Sequence, residues 1–344
     1  MNTWFIYALG GGWGHLNRTL SLGRVAAATR RVRILTNSPY WLKMRELPSD
    51  FNGEVDWIAT ETADIRGHIR GKLLGDRYGC LIVDTFPRGL GGELVEVVSG
   101  RSDFKTVLIH RDLNPNYVRR YDLISFVSHH FDLILIPGEG EDLPFANLPQ
   151  VRYTEPWLSR NIWELPDRAI ARSELGLPAE TANKTVLILA SGREEELNFY
   201  GEVTVRLAGR KNLDVRCISA IQPPNCPPEL WRFHYPAFEY LVAADVVVGS
   251  GGYNTVYECQ ALGIPLVSRP FRRLYDRQLQ RLNRIVGDRD RSPAIIVGDV
   301  EMAVEAVAAL LPLSVPHNSR YENGAIAAVE AIGAIGYRDD EGTT

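Results

Sequence analysis

The stretch that decides the fold is residues 249–283, GSGGYNTVYECQALGIPLVSRPFRRLYDRQLQRLN. A short apolar strand over 245–248 runs into the turn Gly249-Ser250-Gly251-Gly252, and a helix starts near Asn254-Thr255. Glycines let the backbone approach a ligand closely. The first turn of a helix offers N–H donors at the positive end of its dipole, so an anion is favoured there. Glu258 follows Thr255 by about one turn of ~3.6 residues, which sets a carboxylate near whatever carries the phosphates, and a ribose diol is its natural partner. Gly263 and Pro265 end that helix, and 266–268 reads as the next buried strand. Asp276-Arg277-Gln278 then lies on a loop running into another helix.

The same strand, glycine turn and helix open the chain. Residues 4–9 are a continuous apolar run, followed by Gly10-Gly11-Gly12-Trp13-Gly14-His15 and an amphipathic helix carrying Leu16, Leu20, Leu22, Val25 and Ala26. With 32–36 as the next strand this is a βαβ unit. Asn37-Ser38-Pro39 follows that strand, where a dinucleotide cofactor would need an acidic residue for its ribose, so an oxidoreductase is disfavoured. Runs at 55–59, 80–83, 106–109 and 133–136 read as parallel strands buried on both faces. Residues 61–77, polar and glycine-containing, are expected to form a mobile loop. Residues 153–167, rich in Pro and Trp, read as a linker. Strand 185–190, the turn Ser191-Gly192-Arg193 and a helix near Glu195 then repeat the opening pattern, with 215–219 as the following strand.

A length of 344 residues suggests two domains, since single cores stop growing at ~250–300 residues. Hydrophobic and charged shares of 45% and 23% are ordinary for a globular protein, and a net charge of -4 argues against a nucleic-acid partner. Cys80, Cys217, Cys226 and Cys259 are scattered, so neither a zinc site nor a disulfide framework is expected, and the cytoplasm is the expected compartment. The N-terminus lacks the basic lead and cleavage site of a leader, and no apolar run reaches the ~20 residues that span a bilayer.

SGGYNT at 250–255, Glu258, GIP at 263–265 and DRQ at 276–278 with Asn283 resemble the nucleotide-sugar motif of the GT-B glycosyltransferases. Within that class the order and spacing are similar to those of the MurG-like N-acetylglucosaminyltransferases of lipid II synthesis (glycosyltransferase family 28) and of the UDP-glycosyltransferases. The resemblance implies an α/β fold of two Rossmann-like domains with parallel sheets facing across a cleft. Residues 1–153 would bind the acceptor, 154–167 would be the linker, and 168–316 would bind the nucleotide sugar. Residues 317–344 would supply a helix returning to the first domain and a frayed tail. The implied donor contacts are Gly192, Phe238, Ser250, Gly251, Gly252, Asn254, Thr255, Glu258, Asp276 and Gln278, with the 235–238 backbone against the base and Asp276 and Gln278 on sugar hydroxyls. Ser250 stands where UDP-glycosyltransferases carry a diphosphate-binding His.

GGWGH at 11–15 with Leu16, Asn17 and Arg18 resembles the first loop of the same class, and in the small-molecule UDP-glycosyltransferases the His there, His15 in this chain, is the general base. Asp84 closes a strand that resembles the UDP-glycosyltransferase strand whose terminal Asp pairs with that His, a pairing the resemblance implies here; capping of the next segment is the alternative. Gly12, Gly14, Arg18 and His110 would line the phosphate and acceptor side, although Arg18 is expected to face solvent. His110-Arg111-Asp112 sits at the position of a His-Glu-Gln in the lipid II enzymes, with Asn114 also matching. The implied reaction moves a hexosyl group from a UDP-linked sugar to an acceptor hydroxyl, inverting, without metal or cofactor. The acceptor would be a small molecule or a lipid-linked sugar, the latter with peripheral contact at the inner face of a membrane. A nucleotide-sugar isomerase of the 2-epimerase type and a catalytically inactive nucleotide-sugar-binding protein are the alternatives on the same scaffold.

Overall fold

The computed structural model of the protein describes residues 3–46, 50–59, 64–100, 103–138, 140, 143–272, 277–288, 291–313 and 322–335. It divides into two compact units, residues 1–159 with 323–344, and residues 160–322. The stretch expected as a linker, 154–167, is thus shared between them.

The first unit is built on strands β1 (Thr3–Ala8), β2 (Arg31–Thr36), β3 (Glu54–Trp57), β4 (Cys80–Asp84), β5 (Lys105–Ile109), β6 (Leu133–Pro137) and β7 (Val151–Thr154). They form one parallel sheet in the order β3-β2-β1-β4-β5-β6-β7. Trp4, Phe5, Ile6, Tyr7 and Ala8 are all at most 1% exposed, as a strand covered on both faces requires. The second unit carries β8 (Lys184–Leu189), β9 (Leu213–Ile218), β10 (Trp231–Arg232), β11 (Val246–Ser250), β12 (Leu266–Arg269) and β13 (Ala294–Ile296), parallel in the order β10-β9-β8-β11-β12-β13. Each sheet is an α/β sheet that winds outward from its first strand and then reverses. The reversal falls between β1 and β4 in one unit and between β8 and β11 in the other. Ligands of open parallel sheets bind at such switch points, beyond the carboxyl ends of the strands.

One expectation fails here. Residues 65–75 are not a mobile loop but a helix, Ile65–Gly75, started by the Asp64 side chain, which accepts from the Gly67 N–H at 3.0 Å. Ile69 and Leu73, four apart, are 1% and 0% exposed and join the first core, which outweighs Gly67, Gly71 and Gly75 along the same helix. Residues 61–63 of that stretch, Asp276, the proline-rich 314–316 and the tail 337–344 lie outside the described residues. The short edge strands β7, β10 and β13 went unread, having too few residues to show a period.

The last described helix, Gly324–Ala334, belongs to the first unit and packs on the Trp13–Ala26 helix and β7. Asn323 secures it: its Oδ1 accepts from the N–H groups of Ala325 and Leu158, and its Nδ2 donates to the Leu158 carbonyl at 3.1 Å. A Cβ on Gly324 would stand 1.8 Å from the Glu155 carbonyl oxygen, so only glycine fits. Among the described residues, no helix is long and apolar enough to cross a membrane.

Candidate active site

In the first unit the Trp13–Ala26 helix starts at Gly12 and carries His15 and Arg18 three residues apart, hence on one face. Both reach Asp84, which ends β4 on the far side of the switch point. His15 Nδ1 lies 2.5 Å from Asp84 Oδ2. Arg18 Nε donates to Oδ1 at 2.7 Å and Nη2 to Oδ2 at 2.8 Å, and Nη2 also lies 3.3 Å from Thr85 Oγ1. Asp84 is 0% exposed and Arg18 5% exposed, so the expectation that Arg18 faces solvent is overturned. A buried carboxylate needs a charged, hydrogen-bonded partner, and the fork of Arg18 meets that need. Burial alone would push the Asp84 carboxyl up, but the charges and hydrogen bonds of Arg18 and His15 outweigh it and draw it down to about 2. Ionised, Asp84 only accepts. Nδ1 of His15 therefore holds the proton of that bond, which makes Nε2 the accepting nitrogen of the neutral ring.

The surroundings fix this arrangement. Thr85 has φ +69°, and the Phe86 N–H closes back on the Asp84 carbonyl at 2.9 Å, a tight turn that costs a β-branched residue of order 1–3 kcal/mol. The turn brings the Phe86 ring to 5.7 Å from the His15 ring at 29°. On the other side, Asn37 Oδ1 accepts from the N–H groups of Gly10 and Gly11, each at 3.0 Å, and so holds the turn after β1 in place. A Cβ on Gly10 would meet His15 Nε2 and Cδ2 at 2.5 Å, so glycine is what leaves the imidazole room. Gly12 and Gly14 would meet nothing within 4 Å, so the helix start is open there. His110, ending β5, is 0% exposed; its Nε2 accepts from the Phe145 N–H at 3.3 Å and its ring packs on Phe145 at 4.3 Å.

In the second unit the glycine turn ends β11, and the helix is Tyr253–Leu262, beginning one residue before Asn254. Gly252 at its N-cap provides no side-chain cap. Gly263, at φ +72°, closes the other end, with the Ile264 N–H on the Cys259 carbonyl. Ser250 Oγ accepts from the Gly252 N–H at 3.2 Å, which commits that serine to shaping the turn. Asn254 and Thr255 are half-buried, and Glu258 is 6% exposed. A Cβ on Gly251 would meet Leu282 Cδ1 at 2.9 Å and Gln278 Cβ at 3.0 Å, so the Gln278–Asn283 helix packs directly beneath the turn. Gln278 Oε1 accepts from the Phe271 N–H at 2.9 Å. Gly192, at φ +115°, follows β8 on the opposite side of the switch point, before the Glu194–Ala208 helix. Phe238 is fully buried, so only its backbone can face a ligand.

Three contributors were not read from the sequence. Asn37 was noticed only as a missing acid, and Arg281 reaches the Gly251 carbonyl through a fold-dependent contact. Glu239 accepts from Arg160 Nε at 2.7 Å and lies 2.7 Å from His234 Nε2, pairings at 79 and 5 residues' separation. Among the described residues, no group of three or more His, Cys, Asp or Glu is placed to hold a metal.

No family model matches the chain. Over 193 residues it is 28% identical to an uncharacterized glycosyltransferase of Methanopyrus kandleri, covering 51% of this chain and 54% of that protein. The chain therefore spans about half the length of the curated relative it matches. Among solved structures, the spinosyn rhamnosyltransferase SpnG aligns with a TM-score of 0.59 at 16% identity over 96% of each chain. The UDP-GlcNAc 2-epimerase from Methanocaldococcus jannaschii aligns at 0.55 and 14%, over 96% of this chain and 99% of that one. At such identities the likeness establishes the architecture, that of the GT-B glycosyltransferases, and an epimerase shares it. The reaction has to be argued from the residues.

Proposed function

We propose that this chain is a glycosyltransferase that moves a hexosyl group from a nucleotide-linked sugar to an acceptor hydroxyl, with UDP as the nucleotide. Within the GT-B class its motif order assigns it beside the MurG-like enzymes and the UDP-glycosyltransferases. The observation that carries the reading is the bond between His15 Nδ1 and the ionised Asp84, which leaves Nε2 as a proton acceptor at the carboxyl end of β1. Further support comes from the glycosyltransferase of Methanopyrus kandleri and from SpnG, which has been solved with thymidine diphosphate and with the spinosyn aglycone.

In this reading the acceptor oxygen attacks the anomeric carbon while its proton passes to His15 Nε2. The bond from that carbon to the diphosphate breaks on the opposite side, so configuration inverts. Asp84 stabilises the imidazolium that forms. The second unit holds the donor: Gly251, Gly252, Asn254 and Thr255 at the helix start receive the diphosphate, whose growing negative charge meets the positive end of the dipole. Glu258 accepts from the ribose, and Gln278, its Oε1 engaged, offers its amide N–H groups to the sugar. Neither a metal nor a resident cofactor enters this scheme, and the acceptor is a small hydroxylated molecule.

The test is an assay of UDP release from UDP-sugars against an acceptor panel, with and without EDTA. Release that needs the acceptor and survives EDTA is expected. A sugar converted without UDP release would replace this reading with the 2-epimerase one, and tight donor binding without turnover would leave a nucleotide-sugar-binding protein.

A further inference from the structure

Asp84 has two partners, and they do not divide it evenly. Oδ1 is held by Arg18 Nε, whereas Oδ2 receives both Arg18 Nη2 and His15 Nδ1. The guanidinium therefore lies along the whole carboxylate edge, and the imidazole meets one corner of it. Two parallel N–H bonds fix the plane of a carboxylate as a single bond cannot. The Arg18 side chain cannot swing away, because it is 5% exposed and its Nη2 also reaches Thr85 in the strained turn after β4.

We propose that Arg18 is a positioning residue for His15: its fork sets the orientation of Asp84 and offsets that carboxylate's charge, and so aims the imidazole bonded to it. The inference rests on the reading of His15 as the base and adds a third member to its relay. A bare buried carboxylate beside a histidine favours the protonated ring more strongly than one whose charge a guanidinium offsets. With a guanidinium on its other edge, the same carboxylate still accepts the Nδ1 proton but presents little net charge. The low position of the Asp84 carboxyl agrees with this sharing, since both partners contribute to it. The groups that bear on the pair are Arg18 from the same helix as His15 and Asp84 from β4; the Phe86 ring and the Gly10 backbone, which also flank the imidazole, are uncharged.

The test compares Arg18→Met, which keeps the aliphatic stem but loses charge and fork, with Arg18→Lys, which keeps the charge and loses the fork. The first readout is the titration of the His15 ring nitrogens by NMR in the ligand-free protein, which needs no assumption about the reaction. In Arg18→Met the pH at which His15 titrates is expected to rise by about one unit or more, and in Arg18→Lys to stay within a few tenths. The second readout is turnover against pH. Arg18→Lys is expected to keep the position of the acid limb and the donor KM while kcat falls by roughly tenfold or more, since misaimed bases lose rate steeply.

A folded Arg18→Met whose His15 titrates where the wild type does would overturn the charge-sharing half. Arg18→Lys with wild-type kcat would overturn the aiming half, and that variant decides the matter if Arg18→Met does not fold. A wild type that turns over no acceptor would instead sink the transferase reading, leaving the NMR arm to decide on Arg18 alone.

Discussion

Arg281 donates through Nη1 to the carbonyl oxygen of Gly251 at 2.7 Å, from a side chain only 3% exposed. The glycine turn is thus tied from below by the helix that packs under it. A charge-assisted bond of this kind is worth ~1.5–3 kcal/mol, and part of that stabilises the shape that a diphosphate meets. Arg281→Met is expected to weaken UDP binding by roughly tenfold in calorimetry, with a lower melting temperature. An unchanged Kd in the folded variant would show that the turn keeps its shape unaided.

Glu258 is the residue whose proposed role is most specific to a nucleoside. Glu258→Gln preserves its volume at a 6% exposed position and removes the charge that a ribose diol would hydrogen-bond. The loss expected is ~1.5–3 kcal/mol, or ~10–150-fold in UDP affinity, with much less effect on free diphosphate. Equal losses for UDP and diphosphate would place Glu258 away from the ribose.

For His15→Ala the expected outcome is a fall in turnover of ~10²–10⁴-fold with donor affinity kept, because the proposed base and the proposed donor contacts are on separate units. Asp84→Asn should give a loss of the same kind. Pre-steady-state donor binding separates the roles: a parallel loss of donor affinity in His15→Ala would recast the ring as a phosphate or sugar contact.

The same carboxylate sets an acid limit. Asp84 titrates at about 2 in the folded protein, below the ~3.9 of an unfolded chain, so its ion pairs stabilise the fold fully above pH ~4. That contribution, roughly 2–3 kcal/mol, is lost as pH falls through the folded value. Urea unfolding of wild type and Asp84→Asn from pH 6 down to 2.5 should show the gap between them narrowing with acid. A constant gap would mean that Asp84 does not titrate in that window.

The sequence made the repeating features legible. Continuous apolar runs marked the central strands because a strand covered on both faces has no polar side to show, and glycine turns before helices marked β1 and β11. The pairing of His15 with Asp84 followed from family resemblance, since 69 residues separate them and only the reversal of strand order brings them together. The rest depended on tertiary contacts. Arg18 looks like any helix-surface arginine until β4 is placed beside it, and the helical stripe of Ile69 and Leu73 was hidden among glycines that usually signal a loop. Asn37 was read for the charge it lacks, whereas its use is the amide oxygen it offers.

That amide oxygen makes the two halves of the molecule chemically unequal despite their similar strand winding. A nucleotide offered to the turn after β1 would find the Gly10 and Gly11 amides already engaged, and would have to displace a neutral acceptor that makes two bonds at once. In the turn after β11 the Gly252 N–H is engaged instead by Ser250 Oγ, a single bond made within the turn itself. The two turns are thus shaped by different side chains: an asparagine from the next strand's end fills the first and holds it as the wall beside the histidine, whereas a serine within the turn itself shapes the second.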